Sequence, residues 1–206
     1  MPSLVERFSS YPRQGCFDEK RDLILREAAR LFVERGVHET ALSDLADRFS
    51  ISKPALYHYA RSKDDIIAQI LHKASEDNRR IVAEVRQLPG TGRERFLMAA
   101  RAYGKALNTE FGRCLATIQP STFSKATLEL HTRTHRILLD GLAEVIEEGI
   151  RDKSLRRCQP KIVVLALLNA MNAVVRWHRP GGALSHEAVI EEIIDYFIEG
   201  IAARPK

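Results

Sequence analysis

The segment 40–63 limits the folds open to this chain more than any other stretch. Within it, two short runs of apolar residues recur at helical spacing, and only a few polar residues separate them. Thr40 and Ser43 are candidate N-caps for the first helix. Ser52 is the candidate N-cap for the second, with Pro54 in the first turn, where a missing N–H leaves no hydrogen bond unmade. A break this tight predicts a helix-turn-helix.

The second helix, predicted over residues 53–59, has the features of a helix that reads duplex DNA. Its N-terminal residues are small enough to enter the major groove, and its outer face carries hydrogen-bond donors. An ordinary surface on a small helical bundle is the alternative, since helical hairpins are common and most bind no DNA. The residues expected at the DNA are Thr40, Tyr57 and Lys63 mostly on phosphates, Lys53 and His58 nearest the bases, and Ser52, Pro54 and Ala55 beside them.

The string ALSDLADRFSISKPALYHYARSKDDII resembles the DNA-binding segment of the TetR (TetR/AcrR) family of transcriptional repressors. Ser50 stands where that family usually has glycine, so Ser50 is expected to adopt a left-handed backbone conformation. Pro54 and Tyr59 also depart from the usual residues, and neither departure removes a group that contacts DNA. The shared positions include Leu45-Ala46, Ile51-Ser52, Leu56-Tyr57 and the helix opening Ser62-Lys63-Asp64.

This resemblance implies a ligand-responsive repressor that binds a palindromic operator as a homodimer, with one reading helix in the major groove of each half-site. It also implies that a small apolar effector enters the C-terminal part, shifts the long helix after the helix-turn-helix and releases the DNA. The implied partners are a double-stranded DNA operator, a small-molecule effector and a second copy of the chain. The alternative is a helical protein-binding module or small enzyme with an incidental helix-turn-helix. The sequence does not separate repression from activation.

Helical periodicity continues through most of the chain, which predicts an all-α protein. We expect an N-terminal three-helix helix-turn-helix DNA-binding domain and a C-terminal helical bundle for ligand binding and dimerisation. The expected bounds are 1–17 for a flexible N-terminal arm, 18–63 for the DNA-binding domain and 64–206 for the ligand-binding and dimerisation domain. The other predicted helices are 18–36 with Gly36 as C-cap, 63–88, 94–111 ended by Gly112, 124–152, 160–178 and 185–203, with an irregular passage at 113–123.

The last two predicted helices carry more apolar surface than one core can cover. The helix 160–178 is apolar almost all round, and the helix 185–203 repeats large apolar residues at helical spacing. We therefore expect the pair to meet its copy in a four-helix dimer interface. The alternative is that both faces are covered within one chain. One short helix-turn-helix covers too few base pairs for useful specificity, which also favours the dimer.

A polar stripe on the helix 160–178 is the main candidate for binding an effector. Polar and charged side chains recur on one side of this apolar helix, and a tryptophan beside them offers a flat wall. The alternatives are that the stripe faces solvent, or that its asparagines pair across a dimer interface. Aromatic residues elsewhere are candidate cavity walls, although such residues are more often plain core. The candidate ligand-binding residues are Asn169, Asn172, Arg176, Trp177 and Arg179, together with Tyr103, Phe111 and Phe123.

The string VVRWHRPGGALS resembles the end of the penultimate helix in TetR-type regulators that sense acyl-coenzyme A thioesters or related lipid metabolites. The resemblance covers only this short string. It implies that Arg176 and Arg179 meet the coenzyme phosphates and that Trp177 stacks on a ring. An acyl-coenzyme A thioester is therefore the candidate effector.

No motif in the sequence indicates an enzyme, a metal site or a bound cofactor. The patterns GxxxxGK[ST], GxSxG and GxGxxG are absent. His131 and His135 lie four residues apart without the glutamate of HExxH or a third ligand, so we expect them on a helix surface or in a polar pocket rather than on a metal. The net charge of +5 suits a polyanionic partner without requiring one.

The location that the sequence predicts is cytoplasmic. The three cysteines are an odd number and widely spaced, which is typical of reduced thiols rather than disulfides. The N-terminus lacks the apolar region of a secretory signal. The longest apolar run, residues 162–175, is interrupted by two asparagines and falls short of the roughly 20 residues that a membrane span needs.

Overall fold

Ten α-helices make up the computed structural model of this chain, which describes residues 3–10, 17–179 and 181–203. Within these ranges the only β-type pairing is one isolated bridge between Leu155 and Ala202, and the all-α prediction is confirmed. A 3-10 turn, Pro120–Thr122, precedes the eighth helix. The helices are α1 Leu4–Ser10, α2 Phe17–Arg35, α3 Leu42–Arg48, α4 Lys53–Tyr57, α5 Lys63–Gln87, α6 Gly92–Leu107, α7 Glu110–Thr117, α8 Lys125–Arg151, α9 Pro160–Trp177 and α10 His186–Ile201.

Two apolar clusters hold these helices together. The first joins α1–α4, the first part of α5 and α7 around fully buried side chains such as Phe32 and Leu45. The second joins the last part of α5 to α6, α8, α9 and α10 around Phe96 and Leu142. The domain boundary expected after residue 63 falls at the start of α5, which contributes to both clusters.

α5 is the helix that connects the two clusters. Its inward side chains within residues 66–71 are buried in the first cluster, and those within residues 81–85 are buried in the second. Gly141 of α8 allows Val82 to pack closely, because a Cβ at Gly141 would lie 2.5 Å from Cγ2 of Val82. The predicted long helix is confirmed, and one rigid rod joins the two halves of the molecule.

The turn of the helix-turn-helix forms as its residues predict. Ser50 has a φ of +51°, so the left-handed backbone expected where the family usually has glycine is confirmed. Ser52 caps α4, because its hydroxyl accepts a hydrogen bond from the N–H of Ala55 at 3.3 Å. α4 ends at Tyr57, two residues earlier than predicted. We call α3, this turn and α4 the reader.

The prediction that Thr40 or Ser43 caps α3 is wrong. α3 begins after Ala41, whose N–H donates to the carboxylate of Asp44 at 3.2 Å. Thr40 instead serves the end of α2, since its hydroxyl donates to the carbonyl of Gly36 at 2.8 Å. Gly36 itself has a φ of +86°, which confirms the predicted C-cap.

The prediction of one helix over residues 94–111 is wrong, because the chain turns sharply inside it. α6 ends at Leu107, and the hydroxyl of Thr109 caps α7 by accepting from the N–H of Gly112 at 3.1 Å. Gly112 does not end a helix. A Cβ at Gly112 would lie 2.1 Å from the carbonyl oxygen of Ala106, so glycine allows the two helices to turn this tightly. The first half of the passage predicted as irregular is therefore helical.

The segment expected to be a flexible N-terminal arm contains α1, which packs on the reader. Phe8 is buried, with its ring centroid 5.1 Å from that of Phe49 and 6.2 Å from that of Tyr59. These aromatic contacts fix α1 against the end of α3 and the residues after α4. Residues 11–16 of the expected arm lie outside the described residues.

Candidate DNA-binding surface and effector cavity

The reader presents α4 on the outside of the first cluster. Leu56 is fully buried and fixes α4 to the core, while Ile51 is half-buried in the turn. The N–H of Ile51 donates to the carbonyl of Ala46 at 3.0 Å, which closes the turn against α3. α4 is therefore a short, firmly seated helix whose other side faces solvent.

Five of the predicted DNA contacts lie on this solvent side. Tyr57 is 50% exposed, and Ala55 is half-buried. The arrangement offers hydroxyl, ammonium and imidazole groups around a helix N-terminus, which suits phosphates and base edges. The exposed members of the predicted set are Ser52, Lys53, Pro54, Tyr57 and His58.

Thr40 and Lys63 differ from the other predicted contacts. Thr40 is 1% exposed and its hydroxyl is bonded to the end of α2, so the expectation of a phosphate contact through this side chain is wrong. The ammonium group of Lys63 donates to the carbonyls of Val37 and His38 at 2.6 Å and 3.0 Å. Two of its three N–H groups therefore close the loop between α2 and α3, and one is left for a phosphate.

A cavity of about 80 Å³ lies between α5, α6, α7, α8 and α9. In this shape it has room for several water molecules, and a larger effector fits only if the walls move or if part of it stays outside. Most of its lining surface is apolar, and polar side chains from the surrounding helices complete it. The apolar lining residues are Leu71, Ala74, Ala106, Leu107, Phe111, Leu115, Ala116 and Leu138.

The polar groups that line the cavity are hydroxyls, amides and imidazoles, together with the carboxylate of Asp77. The hydroxyl of Tyr103 donates to Oδ1 of Asn172 at 2.8 Å, and burial raises the pKa of Tyr103 to about 12. The ring centroids of His131 and His135 are 4.4 Å apart. Burial and, second, the neighbouring His135 lower the pKa of His131 to about 4, so its imidazole is uncharged at neutral pH. Such groups exchange hydrogen bonds with an uncharged part of a ligand.

Only part of the predicted ligand-binding set lines this cavity. Tyr103, Phe111 and Asn172 do. Asn169 does not line this cavity, because its amide donates to the carbonyl of Leu165 in its own helix at 2.7 Å and its side chain is exposed, as in the alternative that the stripe faces solvent. Asn169 and Asn172 also border a surface groove between α8 and α9. Asn172 therefore lines both this groove and the cavity.

The other predicted ligand residues lie around the cavity rather than in it. Phe123 packs against the outer edge of His131, with ring centroids 5.5 Å apart. Trp177 is 56% exposed, and Arg179 is exposed. Arg176 donates to the carbonyl of Ala116 at 3.2 Å, so it touches the outside of the cavity wall. None of these four residues lines the cavity. Arg176 and Trp177 in the last turn of α9 and Arg179 after it are exposed, whereas Phe123 precedes α8 and packs against the first cluster.

The polar groups that α5 brings to the cavity were not predicted from the sequence, and neither was Thr134 of α8, whereas His131 and His135 were expected on a helix surface or in a polar pocket. Asp77 and Asn78 come from α5, and His131, Thr134 and His135 come from α8. The spacing of His131, Thr134, His135 and Leu138 along one side of α8 was a signal, since these positions share a helix face. Within the described ranges, no group of three or more potential ligands is placed to hold a metal ion.

Two family models match this chain, each over a different stretch. The model of the family described as "Tetracyclin repressor-like, C-terminal domain" matches residues 89–201, and the model described as "Bacterial regulatory proteins, tetR family" matches residues 24–70. The chain is 27% identical over 200 residues to the HTH-type transcriptional repressor KstR2 of Rhodococcus jostii. The alignment covers 89% of this chain and 92% of that protein.

Two solved structures share the fold. The ketosteroid transcriptional regulator KstR2 of Mycobacterium tuberculosis superposes with a TM-score of 0.79 at 21% identity, over 90% of this chain and 96% of that one. AibR, solved in complex with isovaleryl coenzyme A and operator DNA, superposes with a TM-score of 0.76 at 18% identity, over 90% of this chain and 99% of that one.

Proposed function

The chain belongs to the TetR family of bacterial regulatory proteins, and on that premise we propose that it is a ligand-responsive transcriptional repressor of the cytoplasm, without catalytic activity. Two copies bind a palindromic operator, each with α4 in the major groove of one half-site. A small, largely apolar effector enters the cavity and releases the DNA. An acyl-coenzyme A thioester is the effector class that we propose.

The observation that carries the DNA-binding part of this proposal is the solvent-facing side of α4. The helix is fixed to the core through Leu56 and capped by Ser52, while Lys53, Tyr57 and His58 stand exposed around its start and end. A rigid, slim helix with outward donors is what insertion into the major groove requires.

The exposed face of α9 supports the homodimer. Pro160–Trp177 is long and apolar enough to cross a membrane by length and composition, yet only 28% of it is buried within the chain. Ile162 is 65% exposed, Leu165 is 46% exposed, and Tyr196 of the adjacent α10 is 73% exposed. In a DNA-binding regulator, a second copy of the same face is the simplest cover for this apolar surface.

A charge on this face tests the dimer. Leu165→Glu is expected to make the protein monomeric in analytical ultracentrifugation at micromolar concentration, because a carboxylate cannot be buried unpaired in an interface. Met98→Glu is the matched control, since Met98 is 48% exposed and belongs to α6 rather than to α9 or α10. Equal dimer content in both variants would contradict the proposed interface.

The cavity and its surroundings support the effector class. Apolar walls and neutral hydrogen-bonding groups suit an acyl chain and an uncharged carbonyl better than a charged head group. Arg176, which touches the cavity wall from outside, is a candidate partner for phosphates that stay at the surface. AibR, which has the same fold, was solved with an acyl-coenzyme A and operator DNA together.

A band-shift titration tests the proposal. Purified protein is titrated against duplex DNA from the region upstream of its own gene at two salt concentrations, with and without palmitoyl-coenzyme A. A tight complex that resists competitor DNA and is released by the thioester supports the repressor and its ligand class. A tight complex that the thioester does not release supports a DNA-binding regulator and contradicts acyl-coenzyme A as its effector class. Binding with no preference over competitor DNA favours a helical binding module instead.

A further inference from the structure

α7 belongs both to the cavity and to the contact with α2. Phe111 lines the cavity, and the residue before it, Glu110, accepts hydrogen bonds from Arg26 at 3.0 Å and Arg30 at 2.7 Å. The guanidinium of Arg26 also lies over the ring of Phe111, 5.0 Å from its centroid. A displacement of α7 by a ligand would therefore act directly on two arginines of α2.

A second carboxylate connects the same α2 surface to the reader. The side chain of Glu27 is only 5% exposed and is paired with Arg48, the last residue of α3. Nη1 of Arg30 lies 3.6 Å from Oε2 of Glu27. Arg30 thus stands between two carboxylates, held closely by Glu110 of α7 and loosely by Glu27.

The pairing of Arg48 matters because of where it lies in the reader. Phe49 and Ser50 follow it directly and begin the turn that sets the direction of α4. A buried carboxylate is destabilised unless a cation lies beside it. When a second arginine approaches the same carboxylate, the attraction between the carboxylate and the first arginine becomes weaker. The strength of the ion pair between Glu27 and Arg48 therefore depends on the distance of Arg30 from Glu27.

We propose that Arg30 is an exchangeable partner that couples the cavity to the reader. While Glu110 holds Arg30, Glu27 binds Arg48 and fixes α3 and the turn for DNA binding. When an occupant of the cavity displaces α7, Arg30 leaves Glu110, moves onto Glu27 and loosens Arg48. Glu27, Arg30 and Glu110 are positioning residues in this scheme, and the regulatory meaning of the exchange rests on the function proposed above.

The ionisation of Glu110 suits this role. Burial opposes its ionisation, yet hydrogen bonds from its own backbone and from Arg30 hold the pKa of Glu110 below its ordinary value. The carboxylate is therefore charged at neutral pH and can retain Arg30. Arg26 has a further partner in Asp22 at 2.6 Å, whereas Arg30, once Glu110 is lost, is left with Glu27, which lies 3.6 Å away.

Hydrogen exchange measured by mass spectrometry on the full-length protein, without DNA or ligand, tests the exchange of partners. Glu110→Gln keeps the shape of the side chain and removes its charge. It is expected to raise exchange rates in residues 42–57 by roughly threefold to tenfold, as for the loss of a charge-assisted pair. Adding Arg30→Met to this variant removes the competitor and is expected to return these rates to those of the wild type. Glu191→Gln, which removes the exposed partner of Arg101 on α10, is the control and is expected to change nothing in this segment.

The rescue by the second substitution is the deciding result, because a merely structural ion pair would not give it. Unchanged exchange in the reader of Glu110→Gln would overturn the proposal. Exchange rates that stay raised in the double variant would also overturn the proposal, since Arg30 would then not compete with Arg48 for Glu27. If Glu110→Gln does not fold, Glu110→Asp, with its shorter reach, takes its place with the same expectations. Because no DNA is present, these outcomes are independent of whether the chain binds an operator.

Discussion

The candidate DNA-binding surface and the candidate effector cavity are built in opposite ways. The exposed candidate contacts of the reader come from one short stretch, residues 52–58, and stand outside the first cluster. The lining of the cavity comes from five helices and encloses about 80 Å³. A substitution in the reader therefore alters one local surface, whereas a change in the cavity acts on five helices at once.

This difference indicates how the two regions communicate. The reader does not line the cavity, but α5 and α7 do, and both also pack in the first cluster with α2, α3 and α4. In the proposed regulation, an effector larger than the cavity displaces its walls, and α5 and α7 would transmit that displacement to the first cluster. Four predictions test whether a change in one region affects that region alone or both.

The largest effect is expected from the outer side of α4. The double substitution Lys53→Ala and Tyr57→Ala should weaken operator binding by about a hundredfold, because a base-reading and a phosphate-contacting group are lost together. Release by the effector should keep its midpoint concentration. Fluorescence anisotropy with labelled duplex measures both quantities. Lys105→Ala, an exposed lysine of α6, is the control. Equal operator affinity of the double variant and the control would contradict the proposed contact of α4 with DNA.

The second effect is expected in the cavity alone. Ala74→Leu places a larger side chain in the lining and should raise the effector concentration needed for release by about tenfold or more, since the ligand must displace it. Operator affinity without effector should stay within about twofold, because Ala74 does not belong to the reader. A parallel loss of DNA binding would show that the two regions cannot be changed separately.

The third prediction compares two helix caps of the same kind. Ser52 caps α4 and Ser185 caps α10, each through a hydroxyl that accepts from a backbone N–H. Each change to alanine should lower the free energy of unfolding by about 1 kcal/mol. Only Ser52→Ala should also weaken operator binding. Denaturant unfolding and anisotropy on both variants measure this, and equal operator affinities would contradict the role given to α4.

The smallest effect is a pH dependence from the cavity. The pKa of His131 is lowered from 6.5 to about 4, first by burial and then by His135. Neutral His131 therefore favours the folded state fully above pH 6.5, and that contribution is lost as the pH falls from 6.5 towards 4. His131→Gln should reduce the drop in melting temperature between pH 7 and pH 5 by a few degrees. An unchanged drop would mean that His131 is not buried in the cavity.

The sequence predicted the reader well because its signals are local. A hydroxyl before a helix, a proline in its first turn and a residue forced into a left-handed conformation act on their immediate neighbours, and Ser52, Pro54 and Ser50 lie as expected. The prediction for Thr40 failed because its one hydroxyl could serve either the end of α2 or the start of α3. Its partner, the carbonyl of Gly36, is visible only once α2 has its C-cap.

The cavity was predicted less well because its lining depends on how five helices meet. The sharp turn between α6 and α7 depends on close contact of Gly112 with Ala106, which no periodicity reveals. That turn brings Phe111 to the cavity. Conversely, the stripe on α9 has the correct spacing, but α9 ends at Trp177, and Arg176 and Trp177 stay at the surface. Periodicity indicates a shared face and does not say what covers it.

In vitro selection from a random duplex library tests whether a homodimer reads DNA through α4. We expect the protein to enrich an inverted repeat whose half-site centres lie about 10 base pairs apart, or a multiple of that. The variant with Lys53→Ala and Tyr57→Ala should enrich nothing under the same conditions. Enrichment of an asymmetric site, or equal enrichment by the wild type and this variant, would contradict a homodimer that reads DNA through α4.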